Sequence, residues 1–106
     1  MYQYILRFSK PSCNPCAILK LAMDRETTGN TVTILDVDVT QSMVTLPGPW
    51  PQTDMAVVHD LIDMFNIRSV PTLVVINELG EEVQTRWTGQ ATPKEYEDWL
   101  LSWKAT

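Results

Sequence analysis

The hydrophobic period changes twice within the first 39 residues, and that change limits the fold more than any other feature of the chain. Tyr2 to Ser9 (YQYILRFS) is an aromatic and aliphatic run with the composition of a strand. Lys10-Pro11 breaks it, because proline withdraws a backbone donor and restricts the residue before it. From Asn14 to about Thr28 the pattern is helical, with Ile18, Leu21 and Ala22 at steps of three and four, and Gly29-Asn30 closes the segment as a C-cap would. Thr31 to Val39 then returns to the β-branched content of a strand. A helix between two strands forms a right-handed crossover, so the two strands are predicted to be parallel.

The remaining chain completes a sandwich. Thr40 to Gln52 loses periodicity and holds three prolines and a glycine in the five positions from Pro47 to Pro51, which reads as a loop. Met55, Val58, Leu61, Ile62 and Phe65 fall on one face of a second helix, which Arg68-Ser69-Val70-Pro71 ends. Thr72 to Ile76 and Glu82 to Thr88 read as a hairpin around Asn77-Glu78-Leu79-Gly80. Thr92-Pro93-Lys94-Glu95 is a capping box with proline at the first helical position, followed by Tyr96, Trp99, Leu100 and Trp103 on one helical stripe. The predicted order is β-α-β-α-β-β-α, an α/β class with a four-stranded mixed sheet and helices on both faces. At 106 residues and 44% hydrophobic composition, a single domain over 1–106 is expected, interrupted by a Pro-rich insert at about 41–54.

Charge narrows the partners. The net charge is −5 and no run of Lys or Arg occurs, so the chain offers no electrostatic footprint for nucleic acid or an anionic membrane. The N-terminal residues lack the pattern of a signal peptide and no apolar run reaches spanning length, so a cytoplasmic protein is expected. In a reducing compartment, paired cysteines serve metal or redox chemistry more often than structure.

Both cysteines lie in Lys10 to Cys16 (KPSCNPC). As a zinc site the pair gives half the ligands, and the single histidine, His59, comes without a second CxxC, so metal binding would need a dimer-bridging arrangement. As core cysteines they have poor neighbours: Ser12, Asn14 and two prolines. The redox reading has physics in its favour. The unpaired amides and positive dipole end of a first helical turn favour a thiolate, and a three-residue spacing brings the second sulfur within reach of the first. Cys13, at the helix start, is the nucleophile on this reading and Cys16 the resolving thiol.

Together these segments resemble the thioredoxin-like superfamily, thioredoxins and their glutaredoxin relatives. The resemblance rests on Cys13-Asn14-Pro15-Cys16 after a strand, on Phe65 to Thr72 (FNIRSVPT) about 50 residues later, and on Gly89 after the hairpin. It spans nearly the whole chain outside residues 41–54. It implies a cis Pro71 beside the thiols, with Val70 offering its backbone to an extended substrate segment and Pro71, Thr72 and Gly89 binding substrate with it. Without the resemblance, Pro71 reads as a simple helix stop.

Departures from the family pattern are equally specific. Ser12 and Asn14 stand where thioredoxins usually carry tryptophan and glycine, and Lys10-Pro11-Ser12-Cys13 is similar to the K-P-x-C of glutaredoxins. The paired glycines that hold glutathione in glutaredoxins are replaced by Gly89-Gln90, and the β-α pair that opens an ordinary thioredoxin has no counterpart, which makes this a minimal thioredoxin fold. Six positions before Cys13, where thioredoxins place a proton-accepting aspartate, stands Arg7. A guanidinium cannot accept a proton, so either water or another group deprotonates Cys16 or Arg7 favours its thiolate by charge alone, and Arg7 itself either pairs with Asp36 on the neighbouring strand or reaches solvent. Lys10 either stabilises the Cys13 thiolate or is solvated.

The resemblance implies a dithiol-disulfide oxidoreductase, a protein-disulfide reductant with no cofactor or metal beyond its own cysteines and a role in electron transport. Its monomer would act on protein disulfides, ribonucleotide reductase among them if the chain is of the small phage type, and would be regenerated by a thioredoxin reductase or by glutathione. The alternatives are a docking subunit with little redox role and a glutathione-dependent reductase. Two aromatic features stay outside that reading. Trp99 and Trp103 belong to the core stripe of the last helix. Trp50, within stiff Pro47 to Pro51, either borders the Cys13 groove with Met43 to Trp50 or packs down as a plug. His59 is expected to be a solvated helix residue.

Overall fold

In the computed structural model the described residues are 3–25, 32–45 and 55–104. Strands β1 (Gln3–Ser9), β2 (Thr33–Asp38), β5 (Thr72–Asn77) and β6 (Trp87–Thr88) form one mixed sheet in the order β2-β1-β5-β6. β1 pairs in parallel with β2 and antiparallel with β5. The crossover and the mixed sheet therefore stand as the hydrophobic periods predict.

Alternation along β1 assigns the two faces. Tyr4, Leu6 and Phe8 point into one cluster with Leu35, Val37, Val74 and Ile76, and helix α2 (Val58–Met64) covers it through Val58 and Leu61. Ile5 points the other way, with Leu73 and Val75, beneath helices α1 (Asn14–Asp24) and α3 (Pro93–Lys104). Phe8 is fully buried and meets Phe65 edge to face at 6.3 Å, an aromatic contact that joins α2 to the middle of the sheet.

Four local expectations are corrected. The segment after β2 is not wholly irregular: β3 (Met43–Thr45) and β4 (Met55–Val57) pair antiparallel as a separate two-stranded sheet. α2 consequently begins at Val58, and Met55 belongs to β4 rather than to a helix face. On α1 the buried residues are Cys16, Leu19, Ala22 and Met23, whereas Ile18 and Leu21 are 37% and 49% exposed. The helix turns this stripe to the sheet because Cys16 must face inward and Leu19 and Met23 follow it at helical steps. The second hairpin strand shortens to Trp87–Thr88, with Glu82 making one isolated bridge to Ile76. Gly29-Asn30 lies outside the described residues.

Two helix ends are set by local sequence. The Thr92 amide donates to Glu95 Oε1 at 2.9 Å and the Glu95 amide donates to Thr92 Oγ1 at 3.2 Å, which closes the capping box of α3 reciprocally. α2 ends in a Schellman turn: Asn66 takes φ 52°, its amide donates to Asp63 O at 3.2 Å, and the Ile67 amide donates to Ile62 O at 2.9 Å. Asparagine tolerates the left-handed backbone that the turn needs. The turn brings Ile62 and Ile67 together, and both then pack against the α2 side of the core.

Candidate active site

β1 and β2 run the same way, so the turns after their C-terminal ends share one edge of the sheet. That edge carries the cysteines. Cys13 is the N-cap of α1, with extended backbone at φ −119°, and its Sγ accepts the Cys16 amide at 3.1 Å. Pro15 occupies the first turn, where a missing N–H costs no hydrogen bond, and no acidic residue lies in that turn to oppose a negative sulfur. Cys13 is bonded to Cys16, with Cα atoms 5.2 Å apart. Cys13 is half-buried and Cys16 is only 7% exposed, so an incoming sulfur meets Cys13 first.

Antiparallel register supplies the opposite wall. Phe8 pairs with Thr72, which sets Pro71 beside the end of β1 where the cysteine turn begins. The Val70-Pro71 peptide bond is cis, and the Val70 carbonyl oxygen lies 3.9 Å from Cys13 Sγ. Among the described residues, no backbone hydrogen bond takes up the Val70 amide. A groove of about 700 Å³ runs between the two loops, with Lys10, Ser12 and Cys13 on one side, Arg68 and Val70 on the other, and apolar Val39, Ile62 and Ile67 in its walls.

A second cavity of about 330 Å³ opens behind the disulfide, lined by Cys16, Arg7, Lys20, Asp36 and Asp38 among others. Arg7 Nε donates to Asp36 Oδ1 at 2.6 Å and Nη2 donates to Oδ2 at 3.0 Å. Its Nη1 reaches Met23 Sδ at 3.6 Å. The Arg7 side chain is 9% exposed and that of Asp36 61%, so Arg7 does not escape to solvent and the pair expected with Asp36 is present. Asp38 accepts from the Thr40 hydroxyl at 2.6 Å and amide at 2.9 Å, which hold its carboxyl below the ordinary aspartate value.

The sequence-predicted residues thus divide. Cys13, Cys16, Lys10, Arg7, Val70 and Pro71 gather around the disulfide. Thr72 and Gly89 line neither cavity. The Thr72 hydroxyl donates to Ser69 O at 2.8 Å within the Pro71 turn, and the Gly89 amide donates to Pro71 O at 3.0 Å, so both brace the loop instead of touching the groove. Met43 to Thr45 form β3 and line neither cavity, whereas Trp50 lies outside the described residues. His59 is exposed on α2, with Nε2 3.3 Å from Asp63 Oδ2. Sequence reasoning missed Ile62, Ile67 and Arg68 as groove residues. The signal for them was Asn66, a residue suited to a helix-ending left-handed turn that folds Ile67 back onto Ile62.

Among solved structures, the chain is similar to a mutant thioredoxin from Halobacterium salinarum NRC-1, at 20% identity and TM-score 0.66, over 95% of this chain and 74% of that one. It is also similar to chloroplastic thioredoxin z, at 19% identity and TM-score 0.65, over 99% and 80% of the two chains. A third is thioredoxin-2, a component of malaria parasite protein secretion machinery, at 16% identity and TM-score 0.66, over 95% and 82%. At these identities the likeness shows the fold. No curated protein sequence matches the chain. The family model described as a thioredoxin-like domain matches residues 2–103, and with a sheet, a helix-capping cysteine pair and a facing proline loop in the corresponding order, the chain belongs to the thioredoxin-like family.

Proposed function

We propose that this chain is a dithiol-disulfide oxidoreductase that reduces protein disulfides. The observation that carries the reading is the position of Cys13: a helix-capping sulfur 3.9 Å from the Val70 carbonyl, at an open groove, with its partner cysteine bonded to it one turn further along. Family membership supports the same chemistry.

In the reduced form, the Cys13 thiolate attacks one sulfur of a client disulfide, forms a mixed disulfide and releases the other client sulfur as a thiolate. Cys16, after losing its proton, attacks Cys13 Sγ. The Cys13–Cys16 bond forms, the second client sulfur leaves and takes up a proton, and two electrons have passed to the client. An external dithiol or reductase returns the pair to the reduced state, and the two cysteines are the only redox group required. The amides of the first turn of α1 stabilise the Cys13 thiolate, and Arg7, paired with Asp36, is a cation that cannot take the Cys16 proton. An extended client segment pairs with the backbone of Val70, in the manner of an added strand.

Insulin-disulfide reduction driven by dithiothreitol tests the activity, and trapping tests the division of labour. Cys16→Ser is expected to accumulate covalent complexes with client proteins, and Cys13→Ser almost none. The reverse pattern overturns the assignment of roles, and the absence of insulin reduction by the wild type leaves a docking module as the better reading.

A further inference from the structure

The groove beside Cys13 has a charge opposite in sign to the chain that forms it. The protein carries −5 overall, yet the charged residues lining this groove are Lys10 and Arg68, with no carboxylate among the described residues. Both cations are exposed, and neither makes an ion pair among the described residues. They stand on facing loops. Lys10 precedes the Cys13 turn, and Arg68 belongs to the connection whose Val70 carbonyl faces Cys13 Sγ. The position of Arg68 is set by the Schellman turn, because the Ile67 amide is tied to Ile62 O at 2.9 Å. Between the cations the walls are apolar: Val39, Ile62, Ile67 and Val70.

We propose that this groove selects client cysteines in extended acidic segments, with an aspartate or glutamate within about two residues of the reacting cysteine and an apolar side chain beside it. The inference rests on the disulfide-reductant reading of the same site. Charges beyond a Debye length, about 8 Å at physiological ionic strength, are screened at the reacting sulfur. The nearest carboxylates, Asp36 and Asp38, line the second cavity behind the disulfide, where Arg7 pairs with the first and the Thr40 hydroxyl and amide bond the second, whereas Lys10 and Arg68 line the groove that holds the bound segment. A client carboxylate seated there meets two cations that make no ion pair among the described residues. A client lysine meets repulsion on both sides. The chemistry is the exchange already described: one reduced molecule converts one client disulfide to two thiols and ends as the Cys13–Cys16 disulfide.

The experiment uses the reduced full chain in single turnover at physiological ionic strength. Two synthetic peptides carry the same apolar residue beside a cysteine disulfide-bonded to a neutral reporter thiol, one with aspartates flanking the cysteine and the other with lysines. Each rate is divided by that peptide's own rate with free dithiothreitol, which removes intrinsic reactivity. The normalised acidic rate is expected to exceed the basic rate by about fivefold. Arg68→Gln, at an exposed position where folding is not at stake, should cut the preference to about twofold because Lys10 remains, and Arg68→Glu, which opposes Lys10 with a carboxylate, should bring it close to one. Equal normalised rates in the wild type, or a preference unmoved by both variants, overturn the selectivity while neutral 2-hydroxyethyl disulfide is still reduced. If the neutral disulfide is not reduced either, the redox reading has failed and the selectivity falls with it.

Discussion

Arg7 on β1 and Asp36 on β2 are direct partners in the parallel register, and the guanidinium meets the carboxylate through two donors, Nε at 2.6 Å and Nη2 at 3.0 Å. The pair is lopsided. Its cation lies under the sheet edge behind Cys16, while its anion is mostly in water. A buried charge without a partner is costly, so the carboxylate is needed more by Arg7 than by the fold as a whole.

Removing the anion should therefore hurt more than removing both charges. Asp36→Asn is expected to destabilise by about 2 kcal/mol, the loss of a charged hydrogen-bonded partner discounted for the exposure of Asp36. Arg7→Met combined with Asp36→Asn should recover most of that loss, since methionine fills the space beside Met23 without a charge to satisfy. Urea unfolding of the three proteins checks it. A double variant less stable than Asp36→Asn alone would show that Arg7 contributes through packing.

Arg7→Asp carries the redox side of the same relationship. It places an acid six positions before Cys13, directly across the register from Asp36. A second carboxylate in place of the guanidinium leaves an acid able to take up a proton on the Cys16 side of the sheet. Mixed disulfides with clients are then expected to resolve faster through Cys16 than in the wild type. Longer lifetimes would mean that the guanidinium had been stabilising the Cys16 thiolate and that no acceptor replaces it.

Asn66 offers a test of the groove wall. With φ at 52°, Asn66→Gly is expected to be neutral or slightly stabilising, and Asn66→Val to cost about 1–2 kcal/mol because a β-branched residue resists left-handed backbone. The valine variant should also slow protein clients, since Ile67 and Arg68 follow the turn. Thermal melts and insulin reduction on the same samples separate the two effects.

Acid stability has a signed expectation at Asp38. The Thr40 hydroxyl and amide lower its carboxyl pKa in the folded state. The stabilisation is thus present above the unfolded aspartate value of about 3.9 and is lost as pH falls through the lower folded value. Thr40→Val removes the hydroxyl donor and should narrow the stability gap to the wild type as pH drops below that range. A gap that widens on acidification would contradict the assignment.

The sheet, its parallel crossover and the cysteine turn are legible in the sequence because hydrophobic period and Pro-bounded turns act locally. Thr92 and Glu95 announce α3 for the same reason. What escapes the sequence depends on tertiary pairing. β3 and β4 are three residues each and gain their structure only from one another, so neither has a period long enough to read. The buried face of α1 is ambiguous in the sequence because the apolar residues Ile18 and Leu21 also recur at helical spacing, and only the inward demand on Cys16 decides between two overlapping stripes. Thr72 and Gly89 are assigned by sequence to the right neighbourhood but one layer too close, since which hydrogen bond each makes is set by the turn at Pro71.

Gly89 gives the sharpest check on that layered arrangement. Its φ is +84°, its amide holds Pro71 O at 3.0 Å, and its carbonyl oxygen accepts from Trp87 Nε1 at 2.9 Å. Nothing lies within 4 Å of where a Cβ would stand, so Gly89→Ala suffers backbone strain and no clash. The expected cost is about 1–2 kcal/mol. The alanine relieves strain by shifting its own backbone, and the amide bonded to Pro71 shifts with it. Turnover of an extended protein client, which needs the Val70-Pro71 backbone in place, should then fall several-fold, while alkylation of reduced Cys13 by iodoacetamide, which needs only the helix N-terminus, should keep its wild-type rate and pH midpoint below the free-thiol value of about 8.5. Equal losses in both assays would mean that Gly89 supports the whole site, and no loss in either would show that the Pro71 loop is held without it.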